Sequence, residues 1–341
     1  MARGLIRALY SHVRRRFLSL WGVLTSGRVV PGLLDRRLIF VTGKGGVGKS
    51  TVATALGLLA ARRGARTVVA ELAGQSRIRG SFAQTGETFE EVKLADGLYT
   101  ISIDPEAAME EYLRVKTGPL GQALGGSRVF QAFAMATPGM RELLSMGKVW
   151  ELAQLERRTS GAAPYDVVIV DSPAAGHGLG ILRTPRTFAE ISRVGPVAST
   201  AGRIAASVAD PAFTGVLAVT TPEEMPVNET LWLSQQLADD GIALDAVVVN
   251  ARYGARFTAG EVRTLAGARR RAGRAGPQSI AVGAALGAAV SAHARADAQH
   301  EQLQRLRAGL DAAFVELPFL FCEELGLPEL RTLADTLGEL A

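Results

Sequence analysis

The chain has 341 residues, of which 48% are hydrophobic, enough for one large α/β domain or for a domain with an insertion. Its formal net charge of +5 is unevenly placed, because eight arginines against Asp35 give residues 1–37 a charge of +7 and leave −2 for residues 38–341. The basic charge therefore belongs to an N-terminal arm, and the body lacks the charge expected of a nucleic-acid-binding protein.

Cysteine content and hydropathy restrict the class of protein further. Cys322 is the single cysteine, which excludes an internal disulfide and an all-cysteine metal site within one chain. No run of 18 apolar residues is present. We therefore expect a cytoplasmic protein with at most peripheral membrane contact.

The arm, residues 1–37, is the first predicted element. Six apolar residues recur at spacings of three and four: Ile6, Tyr10, Val13, Phe17, Trp21 and Leu24. With arginines mainly on the other side, this pattern predicts a basic amphipathic helix, typical of segments that bind a membrane surface or a protein partner. Two interpretations stay open: residues 1–30 bind such a partner, or they pack on the protein's own core or form a poorly ordered extension.

Short apolar runs alternate with helical patterns through the rest of the chain. The runs cover residues 38–42, 66–72, 98–103, 166–171, 215–220 and 245–250. Nearly continuous apolar strands separated by helices predict a doubly wound α/β fold, with a mainly parallel sheet covered on both faces.

Residues 38–341 are expected to form one domain on this pattern. Within it we expect a mostly helical insertion at about 106–155 and a long Ala-rich helical stretch over 281–314. Residues 253–276, rich in Arg and Gly, are expected to form a loop or a short helix on a solvated surface.

The segment between the first strand and the first helix matches the pattern G-x-x-x-x-G-K-[ST] at residues 43–50. Its glycines are Gly43, Gly45, Gly46 and Gly48. They let backbone N–H groups surround a polyphosphate, while the following helix directs its positive end at the same point. Lys49 is expected to reach the β- and γ-phosphates, and Ser50 to offer its hydroxyl to Mg²⁺.

A second acidic element follows the strand at 166–171. Asp171 ends this apolar run, where a buried carboxylate is costly unless a cation or its hydration shell compensates it. Asp171 is therefore the expected acid on the Mg²⁺ side. Gly176 and His177 follow in a stretch expected to be flexible and to respond to the γ-phosphate, although His177 is equally consistent with an ordinary loop residue.

These residues carry a family resemblance. The segment GKGGVGKS, with its early Lys44, resembles the deviant Walker A motif of a P-loop ATPase family that includes partition and septum-site ATPases, the nitrogenase iron protein, and the arsenite-pump and tail-anchored-protein-targeting ATPases. The segment DSPAAGHGLGIL, from Asp171, resembles the second switch of the last two, with Ala175 in place of threonine. Further matches to that branch follow in order at residues 103–112, 138–149, 219–230, 247–250 and 316–320. From about residue 38 to the C-terminus the chain is similar to anion-transporting ATPases, in particular to actinobacterial anion-transporting-ATPase-like proteins.

The resemblance implies a Mg-ATP site at the interface of a dimer. In the family the early lysine reaches the phosphates bound by the other subunit, so Lys44, Lys49 and Asp171 are the implied catalytic residues of a homodimer, or of a heterodimer with a paralogous ATPase. The implied nucleotide contacts are Gly43, Lys44, Gly45, Gly46, Val47, Gly48, Lys49, Ser50, Thr51, Asn250, Pro318 and Phe319. Among them Asn250 would bond adenine, and Pro318 and Phe319 would wall the base. Glu223 and Glu224 would lie near the partner's nucleotide. The pattern by itself does not separate ATP from GTP.

Three departures from the family limit the function. The first-switch carboxylate that positions the attacking water aligns with Ala73, with Glu71 and Gln75 two residues to either side. One thiol cannot capture arsenite, and the C-x-x-C of the inter-subunit zinc site is missing. Residues 183–213, where targeting factors have a Met-rich client groove, contain no Met.

Three functions remain open at this point. The first is a dimeric ATPase that opens and closes with nucleotide to act on an unidentified partner. The second is a catalytically weak regulatory subunit paired with an active paralogue. The third is a partition-type ATPase that binds membrane or DNA through the arm or through residues 252–274.

Overall fold

The structure, a computed structural model, describes residues 32–72, 77–82, 84, 88–125, 136–159, 161–192, 195–272 and 278–338. The helix predicted for residues 1–30 lies outside these ranges. So do Ala73 and Gln75, two of the three first-switch positions considered above.

The described strands form a single mainly parallel sheet. They are β1 (Leu38–Thr42), β2 (Thr67–Glu71), β3 (Val92–Ala95), β4 (Leu98–Ser102), β5 (Val167–Asp171), β6 (Thr214–Thr220), β7 (Ala246–Arg252) and β8 (Ala313–Pro318). Their order across the sheet is β3-β4-β2-β5-β1-β6-β7-β8. The β3–β4 pair is antiparallel and the other pairs are parallel. The predicted doubly wound α/β fold is thus confirmed.

Helices connect the strands and cover both faces. They are α1 (Lys49–Arg62), α2 (Arg77–Gly80), α3 (Pro105–Gly125), α4 (Met140–Leu152), α5 (Ala175–Ser192), α6 (Pro196–Ala209), α7 (Glu224–Asp239), α8 (Ala259–Ala272), α9 (Gln278–Gly309) and α10 (Leu327–Leu337). Helices α3 and α4 lie in the range where the helical insertion is predicted. None of the described helices is both long and apolar enough to cross a lipid bilayer.

The central strand β1 explains why the sheet is buried on both sides. Leu38 and Phe40 face a cluster that α4, α5, α6, α7 and α9 complete, whereas Ile39 and Val41 face a second cluster with α1, α2 and α10. Successive side chains of a strand point to opposite faces, so an unbroken apolar run requires cover on both. This central position puts the carboxyl end of β1 in the middle of one sheet edge.

Two strands, β3 and β8, were not predicted, and one helix is shorter than predicted. Strands β3 and β4 form a hairpin joined by Asp96 and Gly97, a two-residue turn that its Asp-Gly sequence indicates. Helix α9 ends at Gly309, so Phe314, predicted as helical, lies in β8. The prediction was wrong there because only two side chains of β8, Val315 and Leu317, are buried, so its apolar pattern is weak. Parallel pairing with β7 stabilises it as a strand.

The beginning of the described chain packs on the domain body. Leu33 is buried, and the guanidinium of Arg36 pairs with Asp245 at 2.7 Å and donates to the carbonyl oxygen of Thr214 at 3.0 Å. Asp245 precedes β7, and Thr214 is the first residue of β6. The predicted arm therefore joins the domain at the amino-terminal edge of the parallel strands.

Candidate nucleotide-binding site

The glycine-rich loop lies at the carboxyl end of β1, between β5 and β6, where the connections turn to opposite sides of the sheet. Gly43 (φ 140°) and Gly48 (φ 93°) both adopt positive φ angles. A Cβ atom on Gly43 would overlap the carbonyl oxygen of Val219, and one on Gly48 would overlap the Asn250 amide. Glycine is required at both positions, because the loop is curled tightly against its neighbours.

Lys49 is the first residue of α1, and only 9% of its surface is exposed. Its ammonium donates to the carbonyl oxygen of Lys44, at 2.9 Å, so the side chain folds back over the loop. The N-terminus of α1 begins at the same place. The loop thus combines a cation, a helix N-terminus and backbone N–H groups, the combination that binds phosphate.

Ser50 and Asp171 meet on the β5 side of this loop. The hydroxyl of Ser50 donates to Asp171 Oδ2 at 2.5 Å. Asp171 is the last residue of β5 and is the Cα partner of Val41 in β1, so strand pairing places it beside the loop. A hydroxyl and a carboxylate are the hard oxygen ligands that Mg²⁺ prefers.

This donor set fits a cation that also binds phosphate. The described part of the chain has no group of three or more His, Cys, Asp or Glu side chains able to hold a metal ion. Mg²⁺ usually keeps several waters and shares one or two carboxylates with substrate phosphates. Ser50 and Asp171 therefore suit an ion that arrives with a polyphosphate.

A cavity of about 580 Å³ opens at these residues. Its polar lining comes from the glycine-rich loop, the start of α1 and residues 171–174, and its apolar lining from Leu72, Ile78, Leu325 and Leu330. The volume is within the range of small-molecule sites. The apolar residues come from either side of α1, so the cavity extends beyond the phosphate loop toward α2 and α10.

Glu71 bonds the segment after β2, on the side of the cavity where the first switch is expected. Its side chain is buried, it is the Cα partner of Asp171, and its Oε1 accepts a hydrogen bond from the backbone N–H of Ile78 at 3.2 Å. Ile78 and Ser81 line the cavity, whereas Glu71 does not. Glu71 thus holds the segment that includes α2 in place.

Lys44 is held within its own chain. Its ammonium lies 3.3 Å from Glu229 Oε2 of α7, and the two side chains are 32% and 28% exposed. This lysine therefore does not point into its own phosphate loop but lies at the surface beside it. Glu223 and Glu224, at the start of the same helix, are exposed.

The residues implied in base recognition come from β7 and β8. Asn250 donates through Nδ2 to the carbonyl oxygen of Val47, at 2.9 Å, so it lies directly against the glycine-rich loop. Pro318 ends β8 opposite Arg252 of β7. The next residue, Phe319, stacks on Tyr253 with ring centroids 4.7 Å apart.

One second-switch expectation is corrected. Gly176 and His177 were expected in a flexible stretch but lie in the first turn of α5, which begins at Ala175. Ala175 and Leu179 are buried, and the N–H of Gly178 donates to the carbonyl oxygen of Ala174 at 2.9 Å. Burial of this apolar stripe keeps the segment helical despite its glycines.

Several residues at the site carried no separate signal in the sequence. Glu229 lies in a segment that matches the family, but nothing in the pattern indicated its contact with Lys44. Tyr253 lies in a segment interpreted as solvated surface, and Gln299, which contacts it, lies in an Ala-rich helix. Only the folded chain brings these side chains to the site.

The sheet order, the glycine-rich loop after the central strand and the Ser50–Asp171 pair define a P-loop nucleotide-binding domain. Residues 36–194 and 189–258 match the family model described as "Anion-transporting ATPase". These ranges cover more than half of the chain, which therefore belongs to the anion-transporting ATPase family.

Several curated proteins are similar to this chain. One, "ATPase BagA" of Mycobacterium tuberculosis, is 31% identical over 222 residues, covering 63% of this chain and 64% of the relative. The "ATPase GET3" of Chaetomium globosum is 26% identical over 261 residues, covering 64% and 74%. The "Arsenical pump-driving ATPase" of Escherichia coli is 25% identical over 233 residues, covering 62% and 39%. The match thus spans 64% of the length of the mycobacterial relative.

Proposed function

We propose that this chain binds Mg-ATP and hydrolyses it, and that nucleotide-dependent association of two such chains, or of this chain with a paralogue, acts on a protein partner. The observation that carries the proposal is the glycine-rich loop with Lys49 beside the Ser50–Asp171 pair at 2.5 Å. Membership of the anion-transporting ATPase family supports it.

The chain's own groups divide the work of phosphoryl transfer, which depends on positioning and electrostatic stabilisation. Lys49 and the N-terminus of α1 hold the phosphates and balance their charge. The Ser50 hydroxyl donates a hydrogen bond to Asp171, which leaves the lone pairs of the hydroxyl oxygen for the cation. Mg²⁺, when bound, neutralises charge that develops on the phosphate oxygens.

Lys44 is the residue that we assign to a second chain's phosphates. It is one-third exposed and does not bond its own loop through its side chain. A lysine at this position can extend to a neighbouring nucleotide once it leaves Glu229. Catalysis would then require two chains.

The first test is binding of ATP to the Lys49→Ala variant, measured by calorimetry in the presence of Mg²⁺. We expect ATP affinity to fall at least about 100-fold, since the change removes a buried charge-assisted contact to the phosphates. Lys93→Ala is the matched control, because Lys93 is 55% exposed and pairs only with Asp96 among the described residues. Undiminished ATP affinity in Lys49→Ala would place the nucleotide elsewhere.

A second candidate function is that of a regulatory subunit that binds ATP and hydrolyses it poorly. The observation that favours it concerns Glu71, the nearest carboxylate to the aligned position, Ala73. Glu71 is bonded to the backbone of Ile78 and does not line the cavity. Without a carboxylate to orient water, binding persists while hydrolysis falls.

Turnover measurements separate the two candidates. ATP hydrolysis by the purified chain is measured alone and after mixing with a paralogue that has the first-switch acid, with bound nucleotide quantified in parallel. Turnover by the chain alone supports the enzyme. Bound ATP without turnover, restored only by the paralogue, supports the regulatory subunit.

A further inference from the structure

We infer that Gln299, in the C-terminal half of α9, is a positioning residue for the base-binding side of the nucleotide site. The inference rests on the proposed nucleotide binding and assigns a role to a helix that does not line the phosphate cavity. Gln299 acts through residues 250–253, which connect it to the glycine-rich loop.

The strand that carries Asn250 is irregular where it passes the loop. β7 pairs in register with β8 from Ala246 to Val249, and the register then shifts before Arg252. Within this irregularity Ala251 adopts a φ of 58°, in the left-handed region that residues with a Cβ rarely occupy. A conformation of this kind persists only where the surroundings determine it.

Gln299 fixes this conformation from both sides. Its Nε2 donates to the carbonyl oxygen of Ala251 at 3.1 Å, and its Oε1 accepts from the backbone N–H of Tyr253 at 2.7 Å. The side chain is buried, with 3% of its surface exposed. One amide therefore bonds two backbone groups that the strand irregularity removes from the hydrogen bonds of the sheet. Only a side chain with both a donor and an acceptor can do this.

The guanidinium of Arg252 joins the same arrangement. Its Nη1 donates to the carbonyl oxygen of Ala296 at 3.1 Å and lies 3.4 Å from Gln299 Oε1. Its Nε lies 3.4 Å from Glu316 of β8. Residues 251–253 are thus attached to α9 by side chains from both elements.

Two groups on the base side depend on this attachment. Asn250, directly before Ala251, is turned onto the carbonyl oxygen of Val47. Tyr253, whose N–H bonds Gln299, carries the stacked ring of Phe319. Loss of the Gln299 amide would therefore displace both, while the described residues of α9 contribute nothing to the lining of the phosphate cavity.

The test compares a whole nucleotide with its phosphates alone. Affinities for ATP, GTP and inorganic tripolyphosphate are measured with Mg²⁺ for the full chain and for Gln299→Leu, Gln299→Glu and Gln304→Leu. Gln304 is exposed on the same helix and serves as the matched control. Gln299→Glu keeps an acceptor for the backbone N–H of Tyr253 but has no N–H to donate to the carbonyl oxygen of Ala251.

We expect Gln299→Leu to lower ATP affinity about tenfold and to change the ratio of ATP to GTP affinity, with tripolyphosphate affinity within about twofold of the unmodified chain. Gln299→Glu should show a smaller loss in the same direction, and Gln304→Leu none. The positioning role would be overturned if both Gln299 variants kept the ATP affinity and the ratio of ATP to GTP affinity of the unmodified chain. Equal losses of affinity for ATP and for tripolyphosphate would also overturn it. Where Gln299→Leu does not fold, Gln299→Glu decides by the same criteria. If the unmodified chain binds neither ligand, the proposed function fails instead.

Discussion

At the scale of single residues, the contact between Lys44 and Glu229 is the one that a catalytic role for Lys44 must break. A partly exposed ion pair contributes about 0.5–1 kcal/mol, so it restrains the lysine without locking it. The pair with Glu229 thus adds a small free-energy cost to any extension of Lys44 toward another chain. The sequence identified the lysine but not this restraint.

Replacement of Glu229 by Gln should release Lys44. We expect ATP turnover at saturating nucleotide to rise about two- to fivefold, since the cost of breaking the pair is removed, with little change in ATP affinity. Asp239→Asn, an exposed change of the same kind at the other end of this helix, is the control. A fall in turnover would contradict this prediction and would show that Glu229 holds Lys44 in a productive position.

At the scale of elements, a buried ionic network joins α3 and α4 to the loops beside the sheet. Lys148 of α4 lies 2.8 Å from Glu111 of α3 and 3.1 Å from Glu151 of α4. Arg157, after α4, bonds Glu151 at 2.9 Å and Glu91, before β3, at 2.5 Å. The network fixes the helices of the predicted insertion to the body of the domain, on the side of α4 that the sheet does not cover.

The pKa values of two carboxyls in this network lie below their ordinary value of 4.5. Burial by itself raises the pKa of Glu91, but hydrogen bonds from Arg157 and Tyr165 outweigh it. For Glu151, burial also raises the pKa, and the charge of Lys148 and the bond from Arg157 outweigh it. Because both pKa values are depressed on folding, this stabilisation is full above about pH 4.5 and is lost as the pH falls through the folded values.

Denaturant unfolding of Glu151→Gln tests the network. At pH 7 we expect the free energy of unfolding to fall by about 3 kcal/mol, because a buried pair loses one partner while the cations stay buried. Below pH 4.5 the difference from the unmodified chain should shrink as Glu151 itself takes up a proton. Glu156→Gln, an exposed neighbour, should change neither value. A loss independent of pH would contradict the assigned ionisation.

At the scale of the whole molecule, the glycine-rich loop and the first described residues, 32–37, lie at opposite edges of the sheet. The P-loop follows the carboxyl end of β1, while Arg36 is anchored to Asp245 before the amino ends of β6 and β7. Residues 32–37 therefore lie away from the surface around Lys44.

Lys44→Ala tests whether two chains share the chemistry. We expect ATP affinity to stay within about threefold, turnover to fall at least tenfold, and association of chains in Mg-ATP, measured by analytical ultracentrifugation, to weaken. Lys93→Ala is again the control. A Lys44→Ala variant with full turnover would remove the case for catalysis across an interface.

The sequence by itself determined the fold class, six of the eight described strands and the glycine-rich loop. Apolar runs of the right length require a sheet covered on both faces, and the spacing of the glycines before Lys49 is the pattern of a phosphate-binding loop. Local order in the chain also placed Lys49 and Ser50 at the start of α1. These features depend on spacing within one short segment, which a sequence displays directly.

Only the tertiary structure decided which distant residues complete the site. β3 has four residues and β8 has only two buried side chains, so both depend on pairing and their own sequences are weak signals. Glu229 reaches Lys44 and Gln299 reaches Ala251 because α7 and α9 pack on the sheet beside them. Contacts between residues far apart in the chain follow from how elements pack, and neither residue type nor local periodicity specifies them.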